Sequence, residues 1–184
     1  MVKKWPVFTL CILFTAMASA KTKPSGIEYE MSQVPADMVY QTVAGIISYS
    51  YWPVPDKTPT LCVLSSAYFS SSLTAPPPAA TPKRTIFNSV TLKNTQDYSP
   101  SRCDAIYFGK ESISEQLTIV NQHPEHPLLT IAEQNPACIA GSAFCLIFAN
   151  KKVSFSVNSD SLSRTGIRIS PEVLILARPQ NEKS

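Results

Sequence analysis

An α/β fold, with a mostly parallel central sheet, helices on both faces and disulfide staples, is what this chain predicts, on three observations. Apolar runs of strand length stand at residues 61–64, 105–109, 128–132 and 144–148, and such runs suit strands buried in a sheet. The stretch from Ala105 to Ala132 reads strand, helix, strand, the pattern of a parallel crossover, which places helices against a sheet. Four cysteines, Cys62, Cys103, Cys138 and Cys145, fall in or beside these runs.

The 184 residues suit one domain with a core of useful size. Lys3 and Lys4 precede an apolar run at 7–16, and Ala18-Ser19-Ala20 has the small-residue pattern of a signal-peptidase site, so residues 1–20 are expected to be a secretory signal. Cys11 is followed by Ile12 and Leu13, which does not suit a lipoprotein site. No later run approaches the roughly 20 apolar residues of a spanning helix, so a soluble exported protein without membrane insertion is expected. Sixteen basic side chains face thirteen acidic ones, and taking away Lys3 and Lys4 leaves fourteen against thirteen. That balance does not indicate a nucleic-acid surface.

Residues 21–34 are polar, with Pro24 and Gly26, and read as a flexible N-terminal arm ahead of a single domain at 35–184. Val39, Val43, Ile46 and Ile47 form one face of a helix that starts near Pro35 and ends by Trp52-Pro53. A proline-spaced loop leads to the strand around Cys62, after which Ser65-Ser66 is expected to cap a brief helix through Phe69 and Leu73. The proline-rich residues 75–82 read as an extended surface excursion, a solvated loop before a ligand for a proline-reading domain.

Residues 89–93 alternate like an edge strand. Ser112 and Glu115 make a capping box, with Ile113, Leu117 and Val120 following at helical spacing. Residues 153–157 alternate with period two, residues 160–164 suggest a short helix ended by Gly166, and Ser170-Pro171-Glu172 starts a last helix docked by Val173, Leu174, Leu176 and Ala177.

Chemistry is hard to assemble from these residues. His123, Glu125 and His126 lie close in sequence, but the spacing is not that of two ligands on one helix face and Pro124 and Pro127 make it a loop; no metal and no cofactor are expected. Asp160 and Arg164, one turn apart, suit a surface pair or an N-cap better than a catalytic couple. Ser65-Ser66-Ala67 stands where a nucleotide loop would carry glycines, and neither a Gly-x-Ser-x-Gly nor a Cys-x-x-Cys is present. A binding protein is the expectation, not an enzyme. Two disulfides are the default in an oxidising compartment. Of the three connectivities, the short separation favours Cys138 with Cys145, which leaves Cys62 for Cys103.

Several of these residues carry a resemblance. Ile131-Ala132-Glu133-Gln134-Asn135, Cys138, Gly141-Ser142-Ala143-Phe144-Cys145-Leu146-Ile147, then Phe155, Val157, Asn158, Asp160, Arg164, Gly166, Leu174, Ala177 and Arg178 are similar to the YfiR family of periplasmic regulators. It covers most of the chain from the first helix, with Gly45-Ile46, to Ala177, and it is strongest after Ala105. The resemblance implies an α/β repressor that binds the periplasmic sensor domain of a YfiN-type inner-membrane diguanylate cyclase and keeps cyclic-di-GMP synthesis off. It further implies sequestration by an OmpA-like, YfiB-type outer-membrane lipoprotein, and release when redox stress disturbs the disulfides of Cys62, Cys103, Cys138 and Cys145. A homodimer is left open. Phe144 and Leu162 are the expected apolar contacts with a partner, although core packing suits both equally well. Ser156 is a departure, since some members carry Glu there. The alternative function is a periplasmic small-molecule binding domain.

Overall fold

The computed structural model describes residues 26–54, 57–76 and 86–177. The signal at 1–20, and residues 77–82 of the proline-rich excursion, lie outside the described residues. The elements, in chain order, are α1 (Gly26–Ser32), α2 (Ala36–Ser48), β1 (Ser50–Tyr51), β2 (Thr60–Leu64), α3 (Ser70–Thr74), β3 (Asn88–Leu92), β4 (Ala105–Phe108), α4 (Ile113–Gln122), β5 (Leu129–Ala132), β6 (Phe144–Ala149), β7 (Lys152–Val157), α5 (Ser159–Arg164), β8 (Arg168–Ile169) and α6 (Leu174–Ala177). Short 3-10 turns stand at Thr95–Asp97 and Pro171–Val173.

Six strands form one sheet in the order β3-β2-β4-β5-β6-β7, all neighbours parallel except the β6–β7 hairpin. β4 and β5 are buried at every position, as apolar runs covered on both faces require. Along each strand the residues alternate between two cores. Leu61, Val63, Ala105, Tyr107, Leu129 and Ile131 face α1, α2 and α3, whereas Cys62, Leu64, Ile106, Phe108 and Ala132 face Ile119 of α4. The helices therefore lie on both faces, and the predicted crossover is β4-α4-β5, with Ala105 paired to Leu129.

β5 and β6 overlap only at Ile131–Phe144 and Ala132–Cys145. Because β6 starts beside the end of β5, a loop rather than a helix joins the two parallel strands. At the hairpin tip, Asn150 and Lys151 both take positive φ, 52° and 60°, as a two-residue turn matched to the strand twist demands.

Several elements differ from expectation. The arm expected through residue 34 is helical over Gly26–Ser32, because Met31 is sealed in the core, with Ile27 packed against it and Val34 buried just beyond. α2 ends at Ser48, and the next residues form β1, which pairs antiparallel with β8. Ser65 and Ser66 do not cap α3; their hydroxyls bond Lys93 O and Glu111, and Phe69 holds the cap position without a side-chain bond. On α4 the capping box forms as predicted, but the buried residues are Gln116 and Ile119 while Ile113 is exposed. Gln116 is drawn inward because its Oε1 accepts from Ser142 N and Oγ, and its Nε2 donates to Glu111 O. Asn158, not Asp160, caps α5, accepting from Ser161 N. At the C-terminal end only Val173 is buried; Leu174 and Ile175 are exposed, and Leu176 lies on Gly45 of α2.

Gly109 fixes the approach of the loops after β2 and β4, since a Cβ there would overlap the backbone N and Cα of Ala67. Backbone yields far less than a side-chain end. Gly109→Ala is expected to cost ~3 kcal/mol, read as a lowered midpoint in denaturant melts; an unchanged midpoint would show that the loops part easily.

Candidate functional site

A parallel sheet of this kind usually binds ligands outside the carboxyl ends of its strands, at the point where strand order reverses. Here the reversal lies at β2, which has β3 on one side and β4 on the other. The crevice is closed. Gly109 packs its backbone on Ala67, and the polar groups nearby are taken by the chain's own carboxylates. Glu111 accepts from Ser66 Oγ at 2.5 Å and from Gly109 N at 2.7 Å. Glu133, at the end of β5, accepts from Tyr68 N at 2.5 Å, Phe69 N at 3.4 Å and Tyr107 Oη at 3.1 Å.

Glu133 has no accessible surface and no ion-pair partner among the described residues. Burial pushes its carboxyl above the usual range, opposed by the Tyr68 and Phe69 amides and the Tyr107 hydroxyl. Burial, with the charge of Glu133 and its hydrogen bond, drives the Tyr107 phenol far upward, so Tyr107 stays protonated. Glu111 holds the Ser66 hydroxyl and Glu133 holds the Tyr107 hydroxyl, and the two acids tie the loops after β2 and β4 to the end of β5. Sequence reasoning assigned neither Glu111 nor Glu133 a role; for Glu133 the available signal was an acid directly after a buried-strand run.

The two disulfides are those expected, Cys62–Cys103 and Cys138–Cys145. The first lies in the α4-side core and joins β2 to the residue pair before β4. The second straps the β5–β6 loop to β6, with Cys138 in a left-handed conformation, φ 49°, and Ile139 beside it 79% exposed.

Phe144 and Leu162 lie near the start of β6 and on α5. Phe144 is 0% exposed, in edge contact with Phe155 at 5.5 Å, and in this conformation it offers a partner no surface. Leu162 is half-buried and packs against the same core. Ser156 pairs with Cys145 across the hairpin and its carbonyl lies 3.7 Å from Cys138 Sγ.

At the opposite end of the strands is a cleft of about 240 Å³ lined by Trp52, Lys57, Pro59, Asp104, His126 and Pro127 among others. Asp104 bonds Lys57 Nζ at 2.9 Å and Thr60 N at 2.8 Å. Nearby, Glu125 lies 3.6 Å from His123 and 3.8 Å from His126. Glu125 and His126 are exposed and His123 is half-buried, and among the described residues no group of three His, Cys, Asp or Glu gathers as metal ligands.

Against known proteins, a model of the YfiR/HmsC-like family matches residues 36–178. The chain belongs to that family. The matched span runs from the first residue of α2 to just past α6 and holds the whole six-stranded sheet with both disulfides. In this YfiR/HmsC-like chain, α1 precedes the matched span while its Met31 completes the core.

Proposed function

We propose that the protein is a periplasmic, non-catalytic regulator of diguanylate cyclase signalling, a repressor that binds the periplasmic sensor domain of a YfiN-type cyclase. The observation that carries this reading is the family match over residues 36–178. Its support from the geometry is a switch-point crevice filled by backbone, Glu111 and Glu133, which leaves the surface as the place to act. No helix among the described residues is long and apolar enough to cross a membrane, in keeping with an exported domain that meets a membrane partner from outside.

Repression follows from differential affinity: the chain holds the cyclase off only as far as it binds the inactive conformation more tightly than the active one. Driving the cyclase from almost wholly active to almost wholly inactive needs a preference of about 10⁴-fold. In the same reading, a YfiB-type lipoprotein competes by sequestering the repressor, and reduction of the disulfides releases the cyclase.

The test is a pull-down from detergent-solubilised membranes with the tagged mature chain, beside a cyclic-di-GMP reporter in cells that lack it. A co-purifying diguanylate cyclase and a raised reporter signal are expected, with no turnover of cyclic-di-GMP by the purified protein. An unchanged reporter with no cyclase recovered would refute the reading.

A second reading, a small-molecule binding domain, is favoured by one observation, the cleft between Trp52, the Lys57–Asp104 pair and His126. Unaltered repression by Trp52→Ala and Lys57→Ala variants would separate the cleft from the regulatory role.

A further inference from the structure

We propose that Glu133 is a proton-operated clamp on the segment that runs from Ala67 through α3, which docks most tightly when the carboxyl is neutral and loosens when it ionises. The geometry comes first. The carboxyl is sealed from water, yet among the described residues no cation pairs with it. From β4 it meets Tyr107, and from the loop after β2 the backbone amides of Tyr68 and Phe69. Gln134 turns its amide the same way without reaching hydrogen-bond geometry. The charges of the β4–α4 loop are engaged elsewhere, Lys110 with Glu28 and Glu111 with Ser66 and Gly109. β6 contributes the ring of Phe148, stacked on Phe69 at 5.5 Å.

A buried carboxylate without a counter-ion is costly, whereas a neutral acid needs only hydrogen-bond partners. Two of these contacts persist in both states. Tyr107 Oη, 3.1 Å from Oε2, donates to the carboxylate and accepts from the acid, while Oε1 keeps the Tyr68 amide. Proton uptake therefore changes the energy of docking without breaking the contacts.

The sign follows from linkage. Undocking the segment returns Glu133 to water and to the ordinary glutamate range, while docking raises its affinity for a proton, so docking takes up a proton. Acidification favours the docked segment, and docking weakens as pH rises from the ordinary value through the docked value. What moves is a surface feature: Tyr68, about half exposed, sits on this segment, and Phe69 and Leu73 are the apolar anchors that would leave the core.

The experiment is native-state hydrogen exchange on the disulfide-intact mature chain between about pH 4.5 and 8, with intrinsic exchange rates divided out. The open population of Phe69 and the α3 amides is expected to rise by up to tenfold per pH unit within the window. Glu133→Gln, neutral throughout, is expected to be flat with pH. Should that variant not fold, the carbon-13 titration of the Glu133 carboxyl in the unaltered chain decides, with a midpoint above the ordinary glutamate range supporting the clamp. A midpoint at or below that range, a flat profile in the unaltered chain, or an equal slope in Glu133→Gln would overturn it.

Discussion

Replacing Cys62 and Cys103 together by Ala is expected to lower the melting temperature by about 12 °C, against about 8 °C for Cys138 and Cys145 together. The difference arises in the unfolded chain. The first bond joins residues 41 apart and the second residues 7 apart, so the loop-closure entropies correspond to ~4 and ~2.5 kcal/mol. At roughly 3 °C per kcal/mol for a chain of this size, those values give the two shifts. Location reinforces the order. Cys62 and Cys103 are both enclosed with Ile106, Ile119 and Leu128, so truncation leaves two voids in a packed core, whereas in the second pair only Cys145 is fully enclosed and Cys138 lies in a loop. Thermal melts of both double variants in oxidising buffer, beside the cyclic-di-GMP reporter, make the measurement. Equal losses would discard the ranking, and full repression by chain shown to be reduced at all four cysteines would discard redox release.

The parts of the fold that were legible from sequence are those whose signal is local. Strands buried on both faces announce themselves as unbroken apolar runs, and the β4-α4-β5 crossover was readable because Ser112 and Glu115 form a capping box between two such runs. The missed parts depend on distant partners. β1 and β8 are two residues each and exist only as a pair, and α1 owes its place to Met31 reaching the core. Ile113 looked like the inner face of α4, but it lies in the first turn and is exposed; the loop after β5 offers Ser142 to Gln116 instead. Glu133 stood in a motif that carried the family resemblance, yet its tie to Tyr68 and Phe69 spans more than sixty residues, and no local pattern encodes that.

Phe144→Ala is expected to lose ~4 kcal/mol of stability, the largest effect of any single side chain considered. Phe144 is wholly enclosed in the core that receives α1 and α2, and its ring meets Phe155 on the neighbouring strand. Removing it deletes the transfer energy of the ring and leaves a cavity that two rigid strands do not close. Loss of repression by this variant would therefore report unfolding and not contact. Leu162 separates the two. It follows directly from the β6–β7 pairing, since Val157 pairs with Phe144 and Leu162 N donates to Asn158 O at the start of α5. Being half-buried, it is expected to cost only ~1 kcal/mol when truncated to Ala. In the partner-contact reading, Leu162→Ala melts close to the unaltered chain and yet raises the cyclic-di-GMP signal, while Phe144→Leu, which keeps most of the volume, represses normally. A Leu162→Ala chain that is stable and fully repressing would remove Leu162 from the contact surface.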